Sequence, residues 1–344
     1  MVWRRGGYAG GRAMDQGTDA MDDGTLVIGL VSRLDDAAGR RAVVDAVSRP
    51  VELRDYFDDR DGLAAGGGDV EVVYGNVRPH ELERLPRLRW VHATWSGVEN
   101  LLYPAMVERG VLVTNTRGQV AGSMAEHGAA AVMYLARDFA AHVEATAAGR
   151  WRAGAEPRRV AGSRAVVLGA GAIGGALIPK LGALGVSVVG VNSDGRAVEG
   201  CERTTTLEGV GAYLGETDWL IVLLPATSAT RRVVDEAMLR RLKRGAGVVN
   251  LSRGSVVDGE ALLGCVREGR LRGAVLDVTD PEPLPAGHAM WGDPRILVTG
   301  HRSWAPPPAE TAGLALETFV ENLRCYEAGR FEAMVSRVDP TRGY

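Results

Sequence analysis

Residues 164–196 read RAVVLGAGAIGGALIPKLGALGVSVVGVNSDGR. An apolar strand (Ala165–Leu168) runs into a glycine turn, then a helix, then a second strand (Val186–Val191). Within the turn Gly169, Gly171 and Gly174 match G-x-G-x-x-G in the strand–turn–helix context the motif requires. The first glycine permits the tight turn, the second lets backbone approach a pyrophosphate, and the third lets the helix sit close on the strand. The free N–H groups at the helix start, around Ala172 and Ile173, favour phosphate. In a chain with 46 glycines the spacing alone says little. Its placement between two strands makes it a predicted dinucleotide site in a parallel α/β fold.

The end of the second strand selects the dinucleotide. An acid there would bind the ribose hydroxyls of NAD; here the strand ends in Val191-Asn192-Ser193, with Arg196 beyond. Asn192 does not repel a 2′-phosphate, Ser193 can donate to it, and Arg196 can pair with it. NADP(H) is therefore the favoured cofactor. Asp194 keeps NAD(H) as the alternative, because a small shift would give it the ribose role.

The chain of 344 residues has room for two domains, with 46% hydrophobic and 24% charged residues and a formal net charge of −3. That balance makes no electrostatic case for nucleic acid or a membrane surface as partner. Lys180 and Lys243 are the only lysines, which leaves little room for Schiff-base chemistry. Cys201, Cys265 and Cys325 form no C-x-x-C, so a reducing cytoplasm and no structural zinc are expected. No apolar run is long enough to span a membrane. The opening MVWRRGGYAGG carries two arginines without a following apolar segment, and no export signal is expected. Residues 1–23 read as a disordered tail, with Met14 or Met21 as alternative starts.

Ahead of the glycine turn, strands are expected at Leu26–Val31, Asp69–Tyr74, Leu88–Ala93 and Val111–Asn115, with helical stretches at Ala37–Val47 and Glu81–Leu85. Gly118–Ala147 reads as one long helix, apolar on most sides and so buried between layers or subunits. Beyond it, strands at Trp219–Leu224, Gly247–Leu251, Ala274–Val278 and Ile296–Thr299 continue the dinucleotide sheet. A proline-rich break (Ala305-Pro306-Pro307-Pro308) leads to a last helix over Thr311–Ala328, expected to cross back onto the first domain. The predicted architecture is a tail (1–23), a discontinuous first domain (24–116 with 305–335) and a dinucleotide domain (117–304). Both domains carry parallel sheets, Rossmann-like or flavodoxin-like, with the active site in the cleft between them.

Ligands bind beyond the carboxyl ends of parallel strands. Those ends carry Leu224 and Pro225, with Thr230 in the same loop; Ser252-Arg253-Gly254; Asp277 followed by Asp280-Pro281-Glu282-Pro283; and Gly300-His301. Three neighbouring strands thus deliver an arginine, acids and a histidine to one edge. Arg253 offers a planar fork for a carboxylate or carbonyl oxygen. His301 suits a general acid, and Glu282 would orient it and favour its protonated form. Asp277 is assigned to the cofactor side, with Leu224, Pro225, Thr230 and Ser252.

These residues resemble the D-isomer-specific 2-hydroxyacid dehydrogenases, particularly their glyoxylate/hydroxypyruvate reductase branch. The resemblance runs from about Leu26 to Gly329 and is carried by LRWVHATWSGVENL (88–101), GVLVTNTRG (110–118), AEH (125–127), VLGAGAIG (167–174), LLPAT (223–227), VVNLSRGSVVDGEAL (248–262), GAVLDVTDPEPLP (273–285) and VTGH (298–301). It implies an NAD(P)-dependent oxidoreductase that reduces a small 2-keto acid to the D-2-hydroxy acid, with Arg253, Glu282 and His301 catalytic. It also implies substrate contacts at Trp95 and the backbone of Ser96, Gly97 and Val98. A homodimer joined through the long helix and the arm around Trp151 is implied as well.

The chain departs from the family pattern in Gly300, where proline usually precedes the histidine, and in Arg302-Ser303-Trp304 after it. Trp304, with Tyr74 and Trp95 near the expected mouth, would narrow the pocket; the alternative is ordinary packing. Glu282, where related formate dehydrogenases carry glutamine, argues for a keto-acid substrate. His127 reads as a hydrogen-bonded structural residue. His80, His92, His142 and His288 lack metal-ligand spacing, so no metal is expected. Two other functions stay open at this level: a dehydrogenase for a bulkier keto acid, and a non-enzymatic dinucleotide sensor on the same fold.

Overall fold

The computed structural model describes residues 24–95, 97, 98, 100–116, 118, 120–151, 156–304 and 308–340; the expected tail lies outside them. The first part alternates strand and helix: β1 (Leu26–Leu30), α1 (Ala37–Val44), β2 (Val51–Asp55), α2 (Arg60–Gly66), β3 (Val72–Tyr74), α3 (Pro79–Leu82), β4 (Trp90–His92), α4 (Pro104–Glu108) and β5 (Leu112–Thr114). Two helices come next, α5 (Ala121–Arg137) and α6 (Phe139–Ala147). The second part is β6 (Arg164–Leu168), α7 (Ala172–Ala183), β7 (Ser187–Val191), β8 (Arg203–Thr205), β9 (Trp219–Val222), α8 (Glu236–Arg241), β10 (Ala246–Asn250), α9 (Gly259–Arg267), β11 (Leu271–Leu276) and β12 (Ile296–Val298). A final helix, α10, spans Pro308–Glu327. No helix among the described residues is long and apolar enough to cross a membrane.

Two parallel-sheet α/β domains result. The first sheet has the order β2-β1-β3-β4-β5 and the second β12-β11-β10-β9-β6-β7-β8. Every pairing between these strands is parallel. Val, Ile and Leu dominate the central strands because both faces are covered: two apolar clusters flank the first sheet and two flank the second. In each sheet the order reverses beside the first strand of its domain, at β1/β3 and at β6/β9. The carboxyl ends of strands at such reversals leave a crevice for a ligand.

The structure adds one strand to each sheet beyond the sequence reading. β2 and β8 are edge strands, and their polar composition (VELRD and RTT) hides the apolar run that marks a central strand. It also divides the expected long helix. Asp138 adopts a left-handed conformation (φ 55°) that ends α5. The last carbonyls of α5 are taken from outside the helix: Arg272 Nε donates to Leu135 O at 2.8 Å and the Arg158 N–H to Ala136 O at 2.7 Å.

Helix α5 lies on the second sheet, where Leu135 fills the space above Gly247 and Gly273; a Cβ on either would come within 2.9 and 3.3 Å of its methyl groups. Helix α10 shares the core of the first sheet. Phe319, Leu323 and Tyr326 pack with Leu26, Ile28 and Trp90, and Leu316 closes onto Gly39 of α1. Beyond it, the segment around Arg337 bridges antiparallel to Thr114 and covers the β5 edge.

Candidate active site

The turn after β6 is set by the three glycines. Gly169 has φ 105°, and a Cβ there would lie 2.8 Å from the Leu223 carbonyl at the end of β9. A Cβ on Gly174 would lie 2.6 Å from Gly169 O, so α7 sits hard against the strand. Gly171 differs: nothing lies within 4 Å of its would-be Cβ. Space is therefore open where the N–H groups of Ala172 and Ile173 begin α7, and no acid occupies that first turn. That cradle fits the pyrophosphate of a dinucleotide.

Past β7 the chain folds into a tight loop. Asn192 Nδ2 donates to Arg196 O at 2.8 Å, while its Oδ1 is buried without a partner. The Asp194 carboxylate is turned onto its own loop, accepting from the Arg196 N–H at 3.3 Å with the guanidinium 4.0 Å away. Arg196 is 74% exposed. On the other side of β6, Thr230 Oγ1 donates to Pro225 O at 2.6 Å and accepts from the Thr227 N–H at 2.8 Å. These two hydrogen bonds close the loop that carries Leu224 and Pro225.

Three further loops lie after β10, β11 and β12. After β10, the buried Asn250 folds the chain back: its Oδ1 accepts from the Ser252 N–H at 3.1 Å and from its hydroxyl at 3.0 Å, and its Nδ2 donates to Arg253 O at 3.1 Å. The Arg253 guanidinium donates to Ser252 O at 2.8 Å. Next to it, a Cβ on Gly254 would collide with the Thr279 carbonyl at 2.0 Å, so the Arg253 loop and the loop leading to Glu282 touch backbone to backbone.

Glu282 and His301 meet directly, with Nδ1 2.6 Å from Oε1, and both side chains are about two-fifths exposed. His301 itself has φ 57°. Its N–H donates to Asp277 O at 2.5 Å and its carbonyl accepts from the Trp304 indole at 2.9 Å. The Asp277 side chain is buried beneath that turn. It accepts from Thr299 Oγ1 at 2.5 Å and from the N–H groups of Arg302 and Ser303 at 2.8 and 3.0 Å. Burial pushes this carboxyl upward, but the hydrogen bonds prevail and hold it below the usual aspartate value. An ionised Asp277 is thus built into the base of the His301 turn.

Of the residues expected to contact substrate, Trp95, Gly97 and Val98 lie just past β4 on the first sheet, and Ser96 lies outside the described residues. Trp95 is part-exposed and Val98 buried, its carbonyl accepting from Leu101 and Leu102. One expectation is corrected. Tyr74 does not line a mouth: it is 2% exposed, stacked on His92 and packed against Phe319, and burial raises its hydroxyl to about 12. Trp304 packs against the core that α5 and α7 share. His127 of α5 reaches Thr299 Oγ1 at 3.3 Å, a link between residues 172 apart that no local pattern announces.

Residues 129–303 match the NAD-binding domain of the D-isomer-specific 2-hydroxyacid dehydrogenases. The glyoxylate/hydroxypyruvate reductase A of Serratia proteamaculans is 30% identical over 287 residues, covering 81% of this chain and 90% of that protein. The crystal structure of a D-isomer-specific 2-hydroxyacid dehydrogenase from Xanthobacter autotrophicus Py2, in complex with NADPH and MES, superposes with a TM-score of 0.76. It is 30% identical, over 92% of this chain and 99% of that one. An NADPH-dependent glyoxylate/hydroxypyruvate reductase from Sinorhizobium meliloti gives a TM-score of 0.78 over 93% and 99% of the two chains; at 23% identity it bears on the fold alone.

Proposed function

From the premise that the chain belongs to the D-isomer-specific 2-hydroxyacid dehydrogenase family, NAD(P)-dependent oxidoreductases, we propose that it reduces a small 2-keto acid to the D-2-hydroxy acid with NADPH. Glyoxylate and hydroxypyruvate are the first substrates to test, since the Serratia relative bears their name. The observation that carries this reading is the 2.6 Å pairing of His301 Nδ1 with Glu282, on loops beside Arg253.

The roles divide by chemistry. When bound, the nicotinamide supplies the hydride. Arg253 holds the substrate carboxylate and polarises the carbonyl with its planar donor fork. As charge builds on the carbonyl oxygen, His301 Nε2 delivers the proton that makes it a hydroxyl. Glu282 steers the ring from the Nδ1 side, 2.6 Å away. The backbone at Gly97 and Val98 receives the carboxylate from the first-domain side of a cleft between domain 24–116 with 305–335 and domain 117–304.

For the cofactor, Gly169, Gly171 and Gly174 with Ala172 and Ile173 hold the pyrophosphate. Leu224, Pro225, Thr230 and Ser252 flank the nicotinamide side, which Asp277, buried under the His301 turn, supports from beneath. Asn192, Ser193 and Arg196 receive the 2′-phosphate. The Asp194 carboxylate is engaged by its own loop, and the Xanthobacter relative holds NADPH; both favour NADP(H) over NAD(H). We place the protein in the cytoplasm as a homodimer; its three cysteines are free thiols.

The test is absorbance-monitored oxidation of NADPH and NADH with glyoxylate, hydroxypyruvate and phenylpyruvate. Turnover on the two small acids with NADPH preferred is expected. Turnover on phenylpyruvate alone would move the substrate to the bulky class. Tight NADPH binding without turnover on any of them would overturn the proposed reaction.

A further inference from the structure

His301 stands on a turn whose geometry is set from below by Asp277, and Asp277 is in turn reached from helix α5. Thr299 Oγ1 donates its proton to Asp277 Oδ1 at 2.5 Å. A hydroxyl has one proton to give, so at its other side this oxygen can only accept. His127 Nε2 lies there at 3.3 Å. Nε2 therefore carries a hydrogen and donates it. The result is a directional chain: His127 to Thr299, Thr299 to Asp277, and the Asp277 carboxylate gathering the N–H groups of Arg302 and Ser303.

We propose that His127 is a positioning residue for the acid–base step, ordering the 301–303 turn through Thr299 and Asp277 so that the His301 ring meets both Glu282 and substrate. The proposal rests on the reading of His301 as the proton donor. Helix α5 is a firm platform for it. Beside His127, Gly128 sits so close to Leu177 and Leu251 that a Cβ would lie 3.2–3.3 Å from their methyl groups. Without the His127 donor the Thr299 hydroxyl is held from the Asp277 side alone, so its direction, and with it the alignment of the buried carboxylate, is less tightly fixed. His301, already in a left-handed conformation, is a residue whose backbone must be imposed by such neighbours.

The experiment compares wild-type protein with His127→Leu, His127→Gln, Thr299→Val and the His127→Leu/Thr299→Val pair. The readouts are kcat and KM for the 2-keto acid turned over fastest, and the NADPH Kd from fluorescence. His127→Leu is expected to lower kcat about tenfold, the scale of one lost hydrogen bond, with KM and Kd within about twofold. The glutamine amide nitrogen reaches the Nε2 position, so His127→Gln should restore most of kcat. The double variant should be no slower than the slower single, because both cut one chain. Should His127→Leu not fold, Thr299→Val alone must show the kcat loss with KM unchanged. Full turnover in His127→Leu, no rescue by glutamine, or additive losses in the pair would each overturn the proposal. His301→Asn separates the two levels: if it keeps turnover, the assignment of His301 fails and the His127 proposal falls with it.

Discussion

At the residue scale, the site is a set of loop side chains whose orientations are imposed by backbone contacts. In the proposed reaction Arg253 would present two or more charge-assisted donors to one substrate, so Arg253→Ala should lower kcat/KM by roughly a hundred- to a thousandfold; near-normal turnover would remove it from the site. His301→Ala should cost on the order of a hundredfold or more in kcat while NADPH binds as before, because the Gly169–Gly174 turn is untouched. The glycines make a sharper comparison. Gly171→Ala meets no neighbour within 4 Å and should fold normally, yet it fills the pyrophosphate cradle and should weaken NADPH at least tenfold by titration. Gly169→Ala combines φ 105° with a Leu223 contact at 2.8 Å and should lower stability by about 2 kcal/mol or more. If both variants behave alike, the open cradle at Gly171 is not where the pyrophosphate sits. Glu282 and His301 were legible because neighbouring parallel strands bring the loops at their carboxyl ends to one edge. His127 was legible as a hydrogen-bonded residue, but its partner Thr299 was not, since that contact depends on side-chain direction across elements distant in the chain.

Among elements, both parallel sheets were legible from the alternation of apolar strands with amphipathic helices, and the features that escaped were polar or interrupted. β2 and β8 carry edge compositions, and the break at Asp138 depends on Arg158 and Arg272 arriving from later in the chain. The reversals in strand order share a device. Gly75, after β3, has φ 133° and sits against Val31 and Ser32, as Gly169 sits against Leu223. Each permits two neighbouring strand ends to touch where the crevice opens. Strand β4 also carries a titrating group inside the core. His92 stacks on Tyr74, lies against Phe319 and pairs through Nδ1 with Thr114 Oγ1 at 2.8 Å. Burial lowers its pKa from 6.5 to about 4. The unfolded chain takes up that proton near pH 6.5 and the folded chain does not until about pH 4. Stability therefore falls as pH drops through this window, by about 3 kcal/mol at its lower end. Urea unfolding at pH 7.5 and 5 should show the loss, and His92→Phe should flatten it; an equal slope in the variant would assign the acid sensitivity elsewhere.

Across the whole molecule, the chain leaves the first sheet after β5, builds the second, and returns as α10. That return is locked by polar contacts as well as by core. Arg49 joins Glu71 at 2.9 Å and Glu327 at 3.1 Å, and Tyr326 donates to Glu71 at 2.7 Å. The apolar character of residues 118–147 is met unequally. Helix α5 buries Ala125, Ala131, Val132, Leu135 and Ala136 within the molecule. Helix α6 buries only Ala145, leaving Phe139 47% and Val143 64% exposed, and Trp151 just beyond is 98% exposed. Phe139 and Val143, four residues apart, share one side of α6, and exposed apolar groups that share a side can form an association face. For identical chains a two-fold pairing is the simplest closed solution, since the same patch then covers itself. The protein should sediment as a dimer at micromolar concentration, and Phe139→Ser with Val143→Ser should shift it to monomer. Because neither side chain supports β6 or the His301 turn, the monomer should still bind NADPH with near wild-type affinity. A wild-type protein that stays monomeric across the concentration range would instead leave α6 to contact some other molecule.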